Sequence, residues 1–270
     1  MLFRTIFYLI FLGLFTGCTH YNYSPNLVPT PFNVEKNEAT FAANLGGILN
    51  GHTVDVQAAY NPLKRVTLMA NYFQGSSEFN ESISVSEKNK YRLNYVEAAA
   101  GAWQPLFGEP VYVGCFLGFG SAMVKNDYGF SRRSKLRFNK TFLQPTIMYK
   151  GDWLRFGFGT RFAHMAYKSG DIDNGIAPEE LEILRQIERD SPFNFLEIGF
   201  NIGLDLGAGI TWTSSVVRSD LIGSKKVENT YQLNNTYQFD PLNISAGLSF
   251  DIHRLFKKKT AKKPLAPAAE

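Results

Sequence analysis

The chain has 270 residues, enough for one large domain or two small ones, and its 28 basic residues nearly balance its 24 acidic ones. This balance gives no sign of a nucleic-acid partner or an acidic substrate, and the excess is local, with +5 in the last 17 residues and −1 in the rest. An aromatic fraction of 14%, with 23 glycines and only 19% charged residues, is unlike that of an average cytosolic enzyme. It is typical of a protein that presents half of its surface to lipid.

Residues 1–17 have the form of a signal peptide. One basic residue, Arg4, precedes an apolar stretch that is too short to span a bilayer. Thr16 and Gly17 stand directly before Cys18, and small residues there resemble the lipobox of bacterial lipoproteins. The resemblance implies cleavage before Cys18 and acylation of this residue. An ordinary secretory signal followed by a chance cysteine is the alternative.

Residues 18–37 are predicted to form the lipid-anchored cysteine and an extended linker. Pro25, Pro29 and Pro31 fall within this segment, and its apolar residues follow no period. We therefore expect one folded domain to begin near this point and to occupy residues 38–256.

The predicted domain contains short alternating segments and no run of about 20 apolar residues. In the clearest segment, residues 153–162, Leu154 and Phe156 share one face, while Arg155 and Gly157 share the other. Repeated segments of this kind are the signal of a transmembrane β-barrel, with apolar side chains toward lipid and polar or small ones toward the lumen. A soluble sandwich would instead bury the apolar face.

Ten such segments predict an all-β, antiparallel up-and-down transmembrane barrel of about ten strands, with eight or twelve as alternatives. The predicted strands are residues 38–47, 52–60, 64–74, 90–103, 110–122, 138–149, 153–166, 193–204, 207–217 and 242–254.

The lengths of the connections indicate an orientation. Every second connection is a short turn, and the others are long except for residues 48–51. Outer-membrane barrels have short periplasmic turns and long external loops, so both chain ends and the anchor are expected in the periplasm.

One long connection is predicted to contain a helix at residues 177–190. Pro178 suits a first helical position, and Leu181, Leu184 and Ile187 recur at helical spacing. We expect the helix to cap the external mouth. Packing against neighbouring loops and binding of a partner are both open interpretations of its apolar face.

The last predicted strand carries Ser245, Gly247, Phe250 and Ile252, a pattern that resembles the C-terminal signal recognised by the barrel-assembly machinery. Together with the lipobox, it makes the chain similar to outer-membrane β-barrel lipoproteins of some Gram-negative bacteria. This resemblance implies outer-membrane lipid and, during insertion, the assembly machinery as partners.

A basic tail rich in Pro and Ala, residues 257–270, follows the assembly motif, whereas many such proteins end at that strand. It is expected in the periplasm. Contact with anionic lipid heads or a protein partner is one interpretation, and a disordered, solubilising end is the other.

The sequence predicts no cofactor, no metal site and no enzyme. The four histidines stand in separate segments, without the ligand spacing of a structural zinc site. His52 and His164, with Asp171 and Asp173 nearby, would lie at the external rim, where some ten-stranded outer-membrane proteases activate water. No local motif of that family supports the hydrolase alternative.

Inward charges are predicted to close the lumen with an ionic network. Strand parity turns the following residues inward: Asp55, Glu97, Lys140, Arg155, Arg161, Glu197 and Asp251. The expected pairs are Arg155 with Asp251, and Arg161 with the other acids, because isolated charges in a narrow, dry lumen are costly.

Three classes of function are compatible with the predicted barrel. We expect a structural or accessory component of an outer-membrane assembly, because ten strands enclose a space that side chains largely fill. External loops or the tail would contact an outer-membrane or periplasmic protein. One alternative is a porin-like small-solute channel or a small hydrophobic-ligand binder or transporter, and the other is the rim-active hydrolase.

Overall fold

A computed structural model describes residues 22–48, 51–80, 88–106, 109–129, 132–173, 175–223, 237 and 239–256. The signal peptide, Cys18 and the basic tail lie outside the described residues.

Ten antiparallel strands form a closed barrel in which β1 pairs with both β2 and β10. The strands are β1 Ala39–Ile48, β2 Gly51–Leu63, β3 Val66–Asn80, β4 Lys88–Pro105, β5 Val111–Asp127, β6 Arg133–Lys150, β7 Leu154–Ile172, β8 Phe193–Gly207, β9 Ile210–Ile222 and β10 Leu242–Asp251. The predicted up-and-down topology and the number of strands are confirmed.

The two longest connections, between β7 and β8 and between β9 and β10, lie at one end of the barrel, which we call the long-connection end. At the other end, the short-turn end, each connection has five residues or fewer. Several strands run about five residues beyond their predicted limits toward the long-connection end, β3 to Asn80 and β7 to Ile172. A membrane-spanning strand needs only about 9–11 residues, so these strands are longer than the crossing of a bilayer requires.

Among the described residues two helices accompany the barrel, and neither is long and apolar enough to span a membrane. Helix α1, Pro178–Asp190, lies in the predicted connection, where Leu184 and Ile187 are fully buried against strand residues of the barrel. Helix α2, Ile252–Phe256, replaces the last residues of the predicted tenth strand. Its start has a physical cause, because the Asp251 carboxylate accepts a hydrogen bond from the Arg254 backbone N–H, as an N-cap residue does.

The segment predicted as a linker, residues 22–34, instead passes through the lumen, with every residue buried except Phe32, which is partly buried. At the long-connection end Tyr23 forms a parallel bridge with Phe239, and at the short-turn end the Val34 carbonyl accepts a hydrogen bond from the Arg65 N–H. We call residues 22–34 the lumen segment.

The two ends of the described chain lie at opposite ends of the barrel, and the termini themselves, which are predicted to share one side, lie outside the described residues. Asn22 is at the long-connection end, where it contacts Asn126 and Tyr167, while α2 follows β10 at the short-turn end. Alternation along the strands carries no information about where a segment outside the sheet runs.

Candidate functional site

The lumen is filled in three layers. An aromatic cluster that includes Tyr23, Phe195 and Phe239 occupies the long-connection half, with the Tyr23 and Phe195 ring centroids 4.9 Å apart. A second apolar cluster around Trp103 and Phe116 occupies the short-turn half. Buried charged residues lie between these two clusters.

Side-chain amides of three strands hold the backbone of the lumen segment. Gln144 donates to the Pro29 carbonyl (2.8 Å), and Asn243 donates to the Pro25 carbonyl (2.9 Å). Asn201 donates to the Val28 carbonyl at 3.0 Å. Proline has no N–H, so a proline-rich segment brings fewer donors that need partners when it is buried away from a strand.

Glycines on the inner face make room for this segment. A Cβ atom at Gly157 would lie 2.5 Å from Thr30, and one at Gly199 would lie 2.5 Å from Val28. The sequence holds two signals for this packing: glycines that recur on the inner face, and a stretch of 13 residues at 22–34 without any charge.

Arg161 lies at the centre of the charged layer and is fully buried. Its guanidinium contacts Glu97 at 3.1 Å and Glu197 at 3.4 Å, and its Cζ lies 4.2 Å from the Phe142 ring centroid. Two donors also reach the Gln144 side-chain oxygen. The bidentate fork of arginine suits these several acceptors.

Lys140, also fully buried, forms the second pair of the layer. Its ammonium is 2.5 Å from Glu197 and 3.0 Å from the Tyr23 hydroxyl, which itself donates to Glu197. The two bases thus share one carboxylate, and a residue of the lumen segment completes the group.

Asn26 joins the lumen segment to both sides of the network. Its amide nitrogen donates to Glu97 (2.9 Å), and its oxygen accepts from Arg161 (3.1 Å). Asn26 lies in the segment predicted as a linker outside the barrel, so its sequence position predicts no role in this network.

Asp55 is buried in the same layer, and no basic side chain of the described residues pairs with it. It accepts hydrogen bonds from the Leu27 N–H at 3.4 Å, from Asn71 at 3.4 Å and from Gln57 at 2.7 Å. Its contact with Leu27 again ties the barrel wall to the lumen segment.

The expected pair of Arg155 and Asp251 does not form. Arg155 contacts Asp205 at 3.1 Å, and Asp205 also contacts Arg254. The register explains the difference, because the level of Arg155 continues across β8 and β9 to Gly247 on β10, four residues from Asp251.

The assembly-signal residues are divided between two elements. Ser245, Gly247 and Phe250 lie in β10, whereas Ile252 begins α2. Recognition by the assembly machinery stays a prediction.

The two rim histidines lie on opposite sides of the barrel, on β2 and β7, five strands apart in the sheet. His52 contacts the Ser76 hydroxyl at 2.8 Å, and His164 contacts the Asn194 amide oxygen at 2.9 Å. Within the part of the chain that the structure describes, no three His, Cys, Asp or Glu side chains group as metal ligands.

Little free space is left beside the lumen segment. A cavity of about 60 Å³ lies between residues 29–32 and the surrounding strands, with Asn44 and Arg155 in its lining. This volume holds a few water molecules and no larger solute. The described arrangement is that of an occupied barrel.

No protein-family model matches the sequence, and no curated protein matches it. Among solved structures, the chain is similar to outer membrane protease OmpT from Escherichia coli, with 10% identity, coverage of 80% of this chain and 94% of that one, and a TM-score of 0.43. The chain is also similar to the translocator domain of autotransporter NalP from Neisseria meningitidis, with 12% identity, coverage of 79% of this chain and 87% of that one, and a TM-score of 0.39. For outer membrane phospholipase A from Escherichia coli, the identity is 10%, the coverage is 82% of this chain and 93% of that one, and the TM-score is 0.30. At such identities the likeness concerns the barrel fold alone.

Proposed function

We propose that this protein is a closed, non-enzymatic outer-membrane β-barrel that serves as a structural or accessory component of an outer-membrane assembly. The observation that carries this proposal is the occupied lumen. Residues 22–34 and a buried charge network fill the space through which a solute would have to pass.

An exposed apolar belt supports the location in a membrane. Large apolar side chains point outward around the barrel, with exposed fractions of 70% for Leu45, 67% for Leu117 and Phe119, and 58% for Val96. Soluble proteins rarely expose a continuous apolar patch of this extent. Lipid is the environment in which the belt is stable.

Aromatic residues at the short-turn end add a second support. Tyr60, Tyr149, Trp153 and Trp212 are all exposed by 37% or more. Tyrosine and tryptophan favour the boundary between hydrocarbon and water, where aromatic girdles flank the belt of membrane barrels.

The long-connection end offers a polar surface for a protein partner. Leu184 and Ile187 of α1 are buried, and Leu181 and Ile183 are partly buried, so this helix presents mostly polar residues such as Glu179 outward. The Tyr237 hydroxyl donates to Asp190 at 2.8 Å, which joins the last long connection to the end of α1. Burial and the neighbouring Asp190 raise the pKa of Tyr237 to about 12.

Acylation of Cys18 belongs to the same proposal, but the lumen segment changes its expected side. Asn22 lies at the long-connection end, and the four Cα-to-Cα steps from Cys18 to Asn22 span at most about 14 Å. An acyl anchor on Cys18 would therefore lie near the long-connection mouth. With long connections outside, as in outer-membrane barrels, the anchor would face the external leaflet.

Planar-bilayer recordings test the closed barrel. The full-length protein should give negligible steady conductance, and a variant lacking residues 22–34 should give pores, provided that its barrel still resists denaturation in detergent. Reproducible ohmic pores in the full-length protein would instead support the solute-channel alternative, whether or not the shortened variant folds.

Labelling of intact cells tests the orientation. In a Cys115→Ala background, a cysteine at Glu179 should react with an impermeant reagent, and one at Asp152 should react only after lysis. The opposite pattern would invert the barrel. Mass spectrometry of the mature amino terminus tests acylation, which an unmodified amine would disprove.

A further inference from the structure

The outer face of β4, β5 and β6 carries a row of three basic residues. Arg92 is the register partner of Lys125, and Lys125 is the register partner of Lys135. One step closer to the short-turn end, Arg137 on β6 is opposite Lys168 on β7. Since neighbouring strands are about 4.8 Å apart, these five residues form one continuous basic patch.

Few bases of the patch form an ion pair with an acidic side chain of the described residues. The Lys135 ammonium is 3.8 Å from Asp171, and no acidic side chain of the described residues pairs with the other four bases. Like charges that lie opposite one another on a sheet destabilise it. The sheet therefore tolerates a repulsion that a bound anion would remove.

The adjacent row of the same strands shows that this repulsion is not a general feature of the rim. There, Asp127 lies between Lys90 and Arg133 in register, and the Arg133 and Asp127 side chains are 3.3 Å apart. The row nearest the rim is thus charge-matched, which means that acidic and basic residues lie opposite one another. In the rows nearer the apolar belt, basic residues lie opposite other basic residues.

We infer that the basic patch binds the phosphate groups of a membrane-lipid headgroup. Arginine and lysine are the side chains that recognise phosphate, through bidentate hydrogen bonds and as a point charge respectively. This inference rests on the proposed function, since it needs the apolar belt to face lipid.

The position of the patch selects a lipid over a soluble anion. On β4, Val96 of the apolar belt is four residues from Arg92, about 13 Å along the strand. A lipid whose acyl chains lie on Leu117 and Phe119 of β5 would place its headgroup beside Lys125. An open cleft of about 810 Å³ gives the headgroup room. Its basic lining residues are Lys90, Arg92, Lys125, Arg133 and Lys135, and its acidic ones are Glu78, Asp127, Asp171 and Asp173.

Binding of diphosphoryl lipid A and of its dephosphorylated form, measured by native mass spectrometry in neutral detergent, tests the inference. Full-length protein should retain the phosphorylated form preferentially. The Arg92→Gln, Lys125→Gln, Lys135→Gln triple variant should bind it at least about tenfold more weakly, because each base near an anionic lipid contributes attraction. The matched control, Lys90→Gln with Arg133→Gln, should change binding less than about twofold, because these bases belong to the charge-matched row.

Three results would overturn the inference: equal retention of both lipid forms, equal weakening in the control variant, or complete displacement by millimolar inorganic phosphate. Insertion into neutral phosphatidylcholine vesicles, followed by protection of the barrel from protease, is measured separately. Failure of wild-type insertion would disprove the membrane barrel itself. Insertion without phosphate preference would disprove the lipid site alone.

Discussion

The barrel places charged residues in two regions, the lumen network and the outer basic patch, and the same strands supply both. On β6, Lys140 points inward and is fully buried 2.5 Å from Glu197, whereas Lys135 points outward and is partly exposed. On β4, Glu97 contacts Arg161, whereas Arg92 has no acidic partner among the described residues. Each of the inward bases Lys140, Arg155 and Arg161 contacts an acidic side chain. Four of the five bases of the patch have no acidic partner among the described residues.

The difference follows from solvation. A buried charge without a partner costs several kcal/mol, so a network in the lumen must be nearly neutral for the chain to fold. An exposed charge is solvated and contributes about 1 kcal/mol or less in either direction. Residues of the patch are therefore free to serve binding, whereas residues of the network are constrained by folding.

The largest expected effect is that of Arg161→Ala. Removing the guanidinium leaves two buried carboxylates, Glu97 and Glu197, with Lys140 as the remaining base, and should lower the free energy of unfolding by ~3 to 5 kcal/mol. Urea unfolding in detergent, followed by tryptophan fluorescence, measures the loss. A loss no larger than that of the outward-facing, partly exposed control Lys135→Ala would show that the lumen is hydrated.

The next largest loss of stability is expected from a substitution that disturbs the packing of the lumen segment. Gly199→Ala should destabilise the barrel by ~1 to 3 kcal/mol, because the new methyl group overlaps Val28. Gly47→Ala is the matched control, since its nearest atom would be 3.7 Å away. If both variants have the same unfolding midpoint, the segment does not occupy the lumen in solution.

The ion pair of Glu38 and Lys150 at the short-turn end should have an effect on stability between that of the lumen network and that of the patch. Burial alone would raise the pKa of Glu38, but the Lys150 ammonium at 3.0 Å and the N–H groups of Val34 and Glu35 lower it. The pair's stabilisation should therefore be complete above the unfolded-state pKa of about 4.5 and decrease as the pH falls through the lower folded-state value. At neutral pH it amounts to about 1 kcal/mol or less.

Unfolding of wild type and Glu38→Gln between pH 7 and pH 3 measures this dependence. Wild type should be the more stable protein at neutral pH, and the difference should shrink on acidification. A difference that grows as the pH falls has the wrong sign for a lowered pKa.

The smallest effect on stability is expected in the patch. Lys125→Gln removes repulsion from Arg92 and Lys135, so the free energy of unfolding should change by less than about 0.5 kcal/mol or rise slightly. The same urea experiment measures it. A loss above 1 kcal/mol would mean that Lys125 has a structural partner and would remove the contrast between the two regions.

Much of the barrel was predictable because strand signals are local. Alternation places Leu154 and Phe156 on one face and Arg155 on the other whatever the rest of the chain does, and turn lengths separate the two ends of the barrel. The helix beginning at Pro178 was predictable for the same reason, since its apolar spacing and first residue lie within one short segment.

The sequence by itself determined which side chains face inward, because a strand has a period of two. Only the tertiary structure decided which of them meet. Register across four strands places Arg155 beside Asp205 and away from Asp251, and closure of the sheet brings Glu97 and Glu197 to Arg161. The lumen segment is the extreme case. Residues 22–34 have no periodic pattern, and their burial depends on glycines and amides that lie more than 100 residues away in the chain, as Gln144 does from Pro29.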